Sequence, residues 1–444
     1  MKQLSTLLVA FLLHLEAFAG MGGPDAYGYI WKDSFEPDGP VFEWIDITAT
    51  GQMVMGLGDD NVVGPFVMIT DMPFYWYARK NLWIGSNGYV AFNGGNIASP
   101  FPLIPTGGGV NDYIAGMASD LNFLGAGNPG RCYYLDLGDQ TIISWIDVPF
   151  WSPTPPTYTG SNTFQIILNK ADSTITVQYL LQSGITQNGD IKVGIESVAG
   201  TIGLQHSSNA YPTAGVAIRF YMPPASTLQV VDAAPGWNGQ PGTGGIFRSR
   251  NGAPMPLAAS VANLGNTATG PFSFTGQVLN AGGGVQVANT QSIPDIDPGL
   301  DYLVNFPVTW TPTVAGTYRF QTTVSGVQNE LVTANNQRVQ EIVAVDTTAA
   351  AQDLRFHGPT DNGVGLSWNG GNGGVGVHII PPYHPAYITH YTVRIVSNGG
   401  AAGYALKLYD DDGLGGLPGT LLDSVFIPPA QATTGDQVIA LSAP

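Results

Sequence analysis

An all-β chain is predicted here, three serial antiparallel β-sandwich domains behind an export signal, and three observations carry that expectation. The first is a series of alternating and β-branched runs at 163–168, 174–181, 215–221, 302–308, 316–324 and 388–396, each bounded by Gly, Asn, Asp or Pro. The second is composition: Gly 59 and Pro 33 with only 11% charged residues suits many short strands and tight turns and argues against long surface helices. The third is that no window beyond the first residues sustains a helical period. Strands at this density without intervening helices argue against βαβ architecture and imply antiparallel sandwiches.

The start of the chain is read as a secretory signal peptide over residues 1–19. Met1-Lys2 is followed by an almost wholly apolar stretch from Leu7 to Leu15 and closes on the small-x-small pattern Ala17-Phe18-Ala19. That apolar core is too short to span a bilayer, so the mature protein is expected outside the cell or at its surface, without membrane insertion. Acidic residues outnumber basic ones 32 to 15, a formal net charge of −17, which repels nucleic acid and anionic lipid. Only one cysteine, Cys132, is present, so no intramolecular disulfide forms; its strand-like setting, Arg131 to Leu135, predicts a buried inert thiol.

Two boundaries divide the mature chain. Met222-Pro223-Pro224-Ala225-Ser226 cannot continue a strand, because proline lacks the ladder donor, and a Thr/Ala run follows a strand ending near Val345. Domains of 25–222, 226–346 and 350–444 result.

The first domain is rich in aromatics. Tyr27, Tyr29 and Trp31 alternate, which puts three rings on one face of a strand, either as core or as a carbohydrate-stacking platform. Ser86-Asn87-Gly88, between Leu82-Trp83-Ile84 and Tyr89-Val90-Ala91-Phe92, is the hairpin signal of the chain and reads as a turn with little chemistry. The acidic turn Asp59-Asp60-Asn61 and the loop from Asp33 to Asp38 offer oxygen ligands at short spacing, as calcium requires, although neither follows an EF-hand pattern. Solvated turns are the competing reading.

The order of these motifs, Tyr27-Gly28-Tyr29-Ile30-Trp31, Asp59-Asp60, Phe74-Tyr75, Ile84-Gly85-Ser86-Asn87-Gly88-Tyr89 and Asp120-Leu121, resembles a nidogen-like extracellular β-sandwich module of secreted proteins in bacteria that use type IX secretion. The resemblance runs through 163–168 and 193–206, covering about 25–221, and departs at Met117-Ala118-Ser119, where that family places a bulky aromatic. It implies a sandwich of adhesive role and brings no catalytic residue.

In the second domain, Val261-Ala262-Asn263-Leu264-Gly265-Asn266, Ala315-Gly316-Thr317-Tyr318 and Asn335-Asn336 resemble the Ig-like, CARDB-like adhesion module of surface proteins. Tyr318 is expected to pack as a corner residue holding two sheets. The third domain, with Tyr409-Asp410-Asp411-Asp412-Gly413 and Leu417-Pro418-Gly419, resembles a jelly-roll-like module. Its consecutive carboxylates repel one another, so Asp410 and Asp412, on one side of an extended chain, are metal candidates beside the alternative of a solvated turn. His378, His384 and His390 lack zinc-site spacing. The last strand-like run, 438–441, leaves this module short of a full jelly roll, as a shortened variant or an incomplete product would be.

No Gly-x-Ser-x-Gly, zinc-protease or phosphate-loop motif occurs in the sequence. The expectation is therefore a secreted or surface, non-catalytic binding or adhesion protein, a monomeric modular chain with an extracellular glycan or protein ligand and no cofactor other than possible calcium. Two alternatives stay open: the accessory region of a longer secreted peptidase or glycosidase, and a glycoside hydrolase, which needs only two carboxylates.

Overall fold

The computed structural model describes residues 20–107, 109–239, 246–348, 351–354, 376–383, 385–395, 403–413 and 418–442. Residues 1–19, expected to form an export signal, and His384 lie outside the described residues. The fold is all-β; the predicted runs 163–168, 174–181, 302–308 and 316–324 each lie within a strand, while the strands Val216–Tyr221 and His390–Ile395 are shorter than the runs 215–221 and 388–396 predicted there.

The first sandwich stacks two sheets. An eight-stranded sheet runs Met21–Gly22, Ile30–Asp33, Val216–Tyr221, Thr174–Ser183, Tyr158–Asn169, Gln140–Trp151, Arg131–Asp136, Gln52–Met53. A six-stranded sheet runs Gly203–Ser208, Lys192–Glu196, Tyr113–Ala118, Tyr89–Ala91, Tyr77–Gly85, Val62–Phe74. Inward side chains of both build one core in which Trp145 and Phe164, fully buried, stack at 5.0 Å. Their size dominates the burial energy, and polar tips of neighbouring rings are satisfied across the core: Trp145 Nε1 donates to Gly85 O at 3.3 Å and Tyr179 Oη to Gly116 O at 2.5 Å, each bond joining the two sheets. Cys132 belongs to this core, and burial raises its thiol pKa well above the usual value, as expected of an inert thiol.

The central strands do not alternate in burial, because both outer faces are partly covered. Residues 40–50 cross the outside of the larger sheet, where Ile47 joins Ile142 and Ile167 and the Gln178 amide pairs with both backbone groups of Glu43. Residues 93–107 cross the outside of the smaller sheet over Tyr89, Ala91, Tyr113 and Ala115. Strands buried on both faces read as apolar runs, and Tyr113–Ala118 is buried throughout.

The second sandwich has the two-sheet Ig-like form. Ala233–Asn238, Met255–Asn263 and Asp301–Trp310 face Ile246–Ser249, Gln337–Val345, Gly316–Ser325, Phe272–Asn280 and Val285–Ile293. All pairs are antiparallel except Ile246–Ser249 with Gln337–Val345. Tyr318 is the expected corner residue: its ring meets Trp310 edge-on at 4.7 Å, and its hydroxyl donates to Val314 O at 2.9 Å.

The two sandwiches share a tight junction. Leu228 and Val230 pack into the first core, past the Pro-Pro boundary drawn from the sequence, while Asn266 of the second sandwich clasps the Val230 N–H and Leu228 O. From the first sandwich, Trp76 donates to Leu264 O at 3.1 Å and Tyr77 to Gly265 O at 2.7 Å.

The described part of the third domain contains two strand pairs, His390–Ile395 with Gly435–Ala440 and Tyr404–Tyr409 with Leu421–Ile427, and a 3-10 turn at Pro429–Gln431. Among the described residues of this domain, burial concentrates on Ile427, Ala432, Leu441 and Asp423.

Candidate functional site

Asp59, Asp60 and Asp120 converge at one end of the first sandwich, each offering an oxygen within 4.8 Å of the others. Asp59 and Asp60 come from the loop between Gln52–Met53 and Val62–Phe74, and Asp120 follows Tyr113–Ala118. The two segments, far apart in sequence, are brought together at the hairpin turn of Ser86, Asn87 and Gly88.

That turn does more than reverse the chain. Ser86 and Asn87 are fully buried. Ser86 Oγ accepts from Asn61 N at 3.0 Å and donates to Asp59 O at 3.2 Å. Asn87 Nδ2 donates to Asp60 Oδ1 at 2.8 Å, and Asn87 Oδ1 accepts from Leu121 N at 3.0 Å, so one side chain spans both acidic segments. Asn61 closes its own loop by accepting from Gly58 N and donating to Gly56 O. Short amide and hydroxyl side chains suit this task because they bond to nearby backbone in non-repetitive conformations. Reading the turn as chemically quiet is corrected: its amide orients the site. Its loop shape alone did not disclose this, since the cover from residues 93–107 that buries it has no strand or helix period.

The electrostatics are those of an uncompensated acidic pocket. Burial and the Asp60 charge push Asp59 up to about 6, and burial with the Asp60 and Asp59 charges pushes Asp120 up to about 7. Asp59 Oδ1 is buried without a hydrogen-bond partner. Three carboxylates with no histidine or cysteine among them suit a hard divalent cation, and such an ion would relieve their mutual repulsion. The oxygens lie closer than the ~5–5.5 Å of a retaining glycosidase pair. Asp59 and Asp60 were candidates from the sequence; Asp120 was not, although its Asp-Leu pair was visible in the motif series.

The other candidates fall out differently. Tyr29 is fully buried and Trp31 nearly so, which corrects the stacking-platform reading of Tyr27, Tyr29 and Trp31. Tyr29 packs against Tyr75 at 4.8 Å, and Trp31 lies against His206 at 4.3 Å. The strand itself begins only at Ile30, because Gly28 at φ +115° turns the chain and Asp25 Oδ1 accepts the backbone N–H groups of Tyr27, Gly28 and Tyr29. Tyr27 alone keeps partial exposure, beside an open groove of about 480 Å³ bordered by Ala225 to Gln229.

In the third domain both Asp412 carboxylate oxygens accept from Thr420, through its N–H and its hydroxyl, each at 2.6 Å. Asp410 Oδ1 accepts from Asp411 N, and Asp411 lies 3.4 Å from His378. Asp412 thus closes a turn, and the two candidate carboxylates are engaged within their own loop. His390 contacts Thr389 through Nδ1 at 3.0 Å.

No protein-family model matches the chain, and no curated protein matches it. Among solved structures it is similar to a CARDB domain from Pyrococcus furiosus in complex with di-metal ions, 21% identical over 27% of this chain and 94% of that one, with a TM-score of 0.19. It is similar to a cell surface protein domain from Methanosarcina acetivorans, 19% identical over 26% and 93% of the two chains, TM-score 0.21. The extracellular domain of a one component system from B. thetaiotaomicron is 11% identical over 60% of this chain and 43% of that one, TM-score 0.16. At these TM-scores the likenesses have no bearing on function.

Proposed function

We propose that the chain is an exported, non-catalytic surface protein whose first sandwich presents a ligand-binding loop surface ordered by calcium. The observation that carries this reading is the convergence of Asp59, Asp60 and Asp120 on the buried Ser86–Asn87 turn. Loops at sandwich ends are where binding specificity resides on such scaffolds, and a cation there would draw the two acidic loop segments into one arrangement. The acidic balance of 32 to 15 and the signal-like first residues agree with an extracellular setting, where free calcium is abundant enough for a weak, partly hydrated site. The resemblance of residues 25–221 to nidogen-like modules of type IX secretion supports an adhesive role, and the second sandwich then acts as a spacer docked to the first.

A glycan array and an extracellular-matrix protein panel probed with the chain beginning at Gly20, in calcium and in EDTA, test the proposal. Binding that is present in calcium and lost in EDTA is expected. Calcium-independent binding, or hydrolysis of any glycan on the panel, would overturn it.

A further inference from the structure

A second polar site lies in the first sandwich, away from the acidic loops. A cavity of about 110 Å³ opens between the two sheets where Asp33, at the end of Ile30–Asp33, approaches His206 on Gly203–Ser208. Tyr179, Val193, Val216 and Ile218 form its apolar floor, all of them buried.

Asp33 is only 6% exposed. Its Oδ1 accepts from Phe35 N at 2.8 Å, while Oδ2 stands 3.8 Å from His206 Nε2, beyond hydrogen-bond reach. Among the described residues Asp33 has no lysine or arginine within ion-pair distance, and its neighbour Lys32 is turned to Asp38 at 2.5 Å. Burial lowers the His206 pKa below the usual histidine value, against the Asp33 charge that raises it. His206 Nδ1 is buried without a partner, which leaves Nε2 as the nitrogen that can meet a ligand. Trp31, edge-on at 4.3 Å, holds the ring in place.

We infer that this cavity binds a primary alkylammonium group on a short apolar stem. An ammonium carries three donors and a full charge, so it can bond Asp33 Oδ2 and His206 Nε2 together across their gap. A hydroxyl could bridge the same atoms but would leave the buried carboxylate charge uncompensated, and that charge is the costly feature. The stem lies on the apolar floor, with the exposed Phe35 ring at the rim to cover it. A cavity of about 150 Å³ accepts benzene, so this one holds roughly four to six non-hydrogen atoms. The net charge of −17 raises the local concentration of cations. The same head and stem occur in a free short alkylamine and in a lysine side chain displayed by a peptide.

Isothermal titration of the chain at pH 7.5 with n-butylammonium, 1-butanol and lysine blocked at both ends tests the inference. Saturable one-to-one binding of butylammonium, at least about tenfold tighter than butanol, is expected. Blocked lysine binding alongside butylammonium makes a displayed lysine the source; butylammonium binding alone makes it a free amine. Asp33→Asn keeps an acceptor for Phe35 N and should weaken butylammonium about tenfold or more. Butanol binding as tightly as butylammonium, no saturable butylammonium binding, or unchanged affinity in Asp33→Asn with native circular dichroism would overturn the inference. The butanol comparison needs no variant, so it decides the matter even if Asp33→Asn fails to fold.

Discussion

Glu196 is 1% exposed on the strand Lys192–Glu196, with the Thr106 N–H donating to Oε2 at 2.7 Å. Burial outweighs that hydrogen bond and pushes its pKa from 4.5 to about 8. The folded chain therefore holds a proton that the unfolded chain has released, so this contribution to stability is full below about pH 4.5 and is lost as pH rises towards 8. Asp112 and Asp232, pushed by burial to about 6 and about 7, act in the same direction. Melting temperature is expected to fall between pH 5 and pH 8, measured by circular dichroism at constant ionic strength. Glu196→Gln keeps the Thr106 contact without the charge, so it should flatten that slope and exceed the parent at pH 8 on the order of 2 kcal/mol; an unchanged slope would count against a buried, protonated Glu196. Tyr318→Phe removes only the hydroxyl bond to Val314 O and should cost about 1 kcal/mol in urea unfolding. A loss indistinguishable from zero would leave the corner role to the ring alone.

At the scale of elements, the hairpin from Tyr77 to Ala91 connects the acidic loops to the core. Gly88 has φ +76°, and a Cβ there would meet Met117 O at 2.4 Å. Gly88→Ala is expected to destabilise the first sandwich by roughly 2–3 kcal/mol in urea unfolding, since strain and collision act together. A cost below ~0.5 kcal/mol would mean that the turn is not held as described. The strands were legible in the sequence because their signals are local: Thr174 to Val177 alternates two-sided preferences that the ladder to Val216–Tyr221 then uses. The Asn-Gly turn was legible for the same reason. What covers a strand was not. Tyr29 and Trp31 alternate as a platform would, but Tyr75 and His206, distant in sequence, lie against those rings. Asp120 escaped notice as a ligand because its neighbours Asp59 and Asp60 reach it only through the pairing of Tyr89–Ala91 with Tyr113–Ala118.

At the scale of the molecule, two sandwiches are joined through side-chain bonds to backbone carbonyls, with Val230 fully buried between them. Trp76→Ala removes a ring that packs on the first core and bonds the second sandwich. It is expected to split a shared calorimetric transition of the two into separate steps, whereas a single unchanged transition would show that the junction contributes little coupling. The acidic loop cluster sits on the first of these coupled sandwiches, so a cation bound there would stabilise the pair against heat. The most direct test is thermal unfolding of the chain at pH 7.5 with calcium titrated from EDTA, in parallel with Asp120→Asn. At calcium about a hundredfold above its dissociation constant, binding adds about 2.7 kcal/mol, which for sandwiches of this size raises the melting temperature by roughly 5–10 °C. That rise should vanish in Asp120→Asn; no rise in the parent, or an equal rise in the variant, would contradict a cation held by Asp59, Asp60 and Asp120.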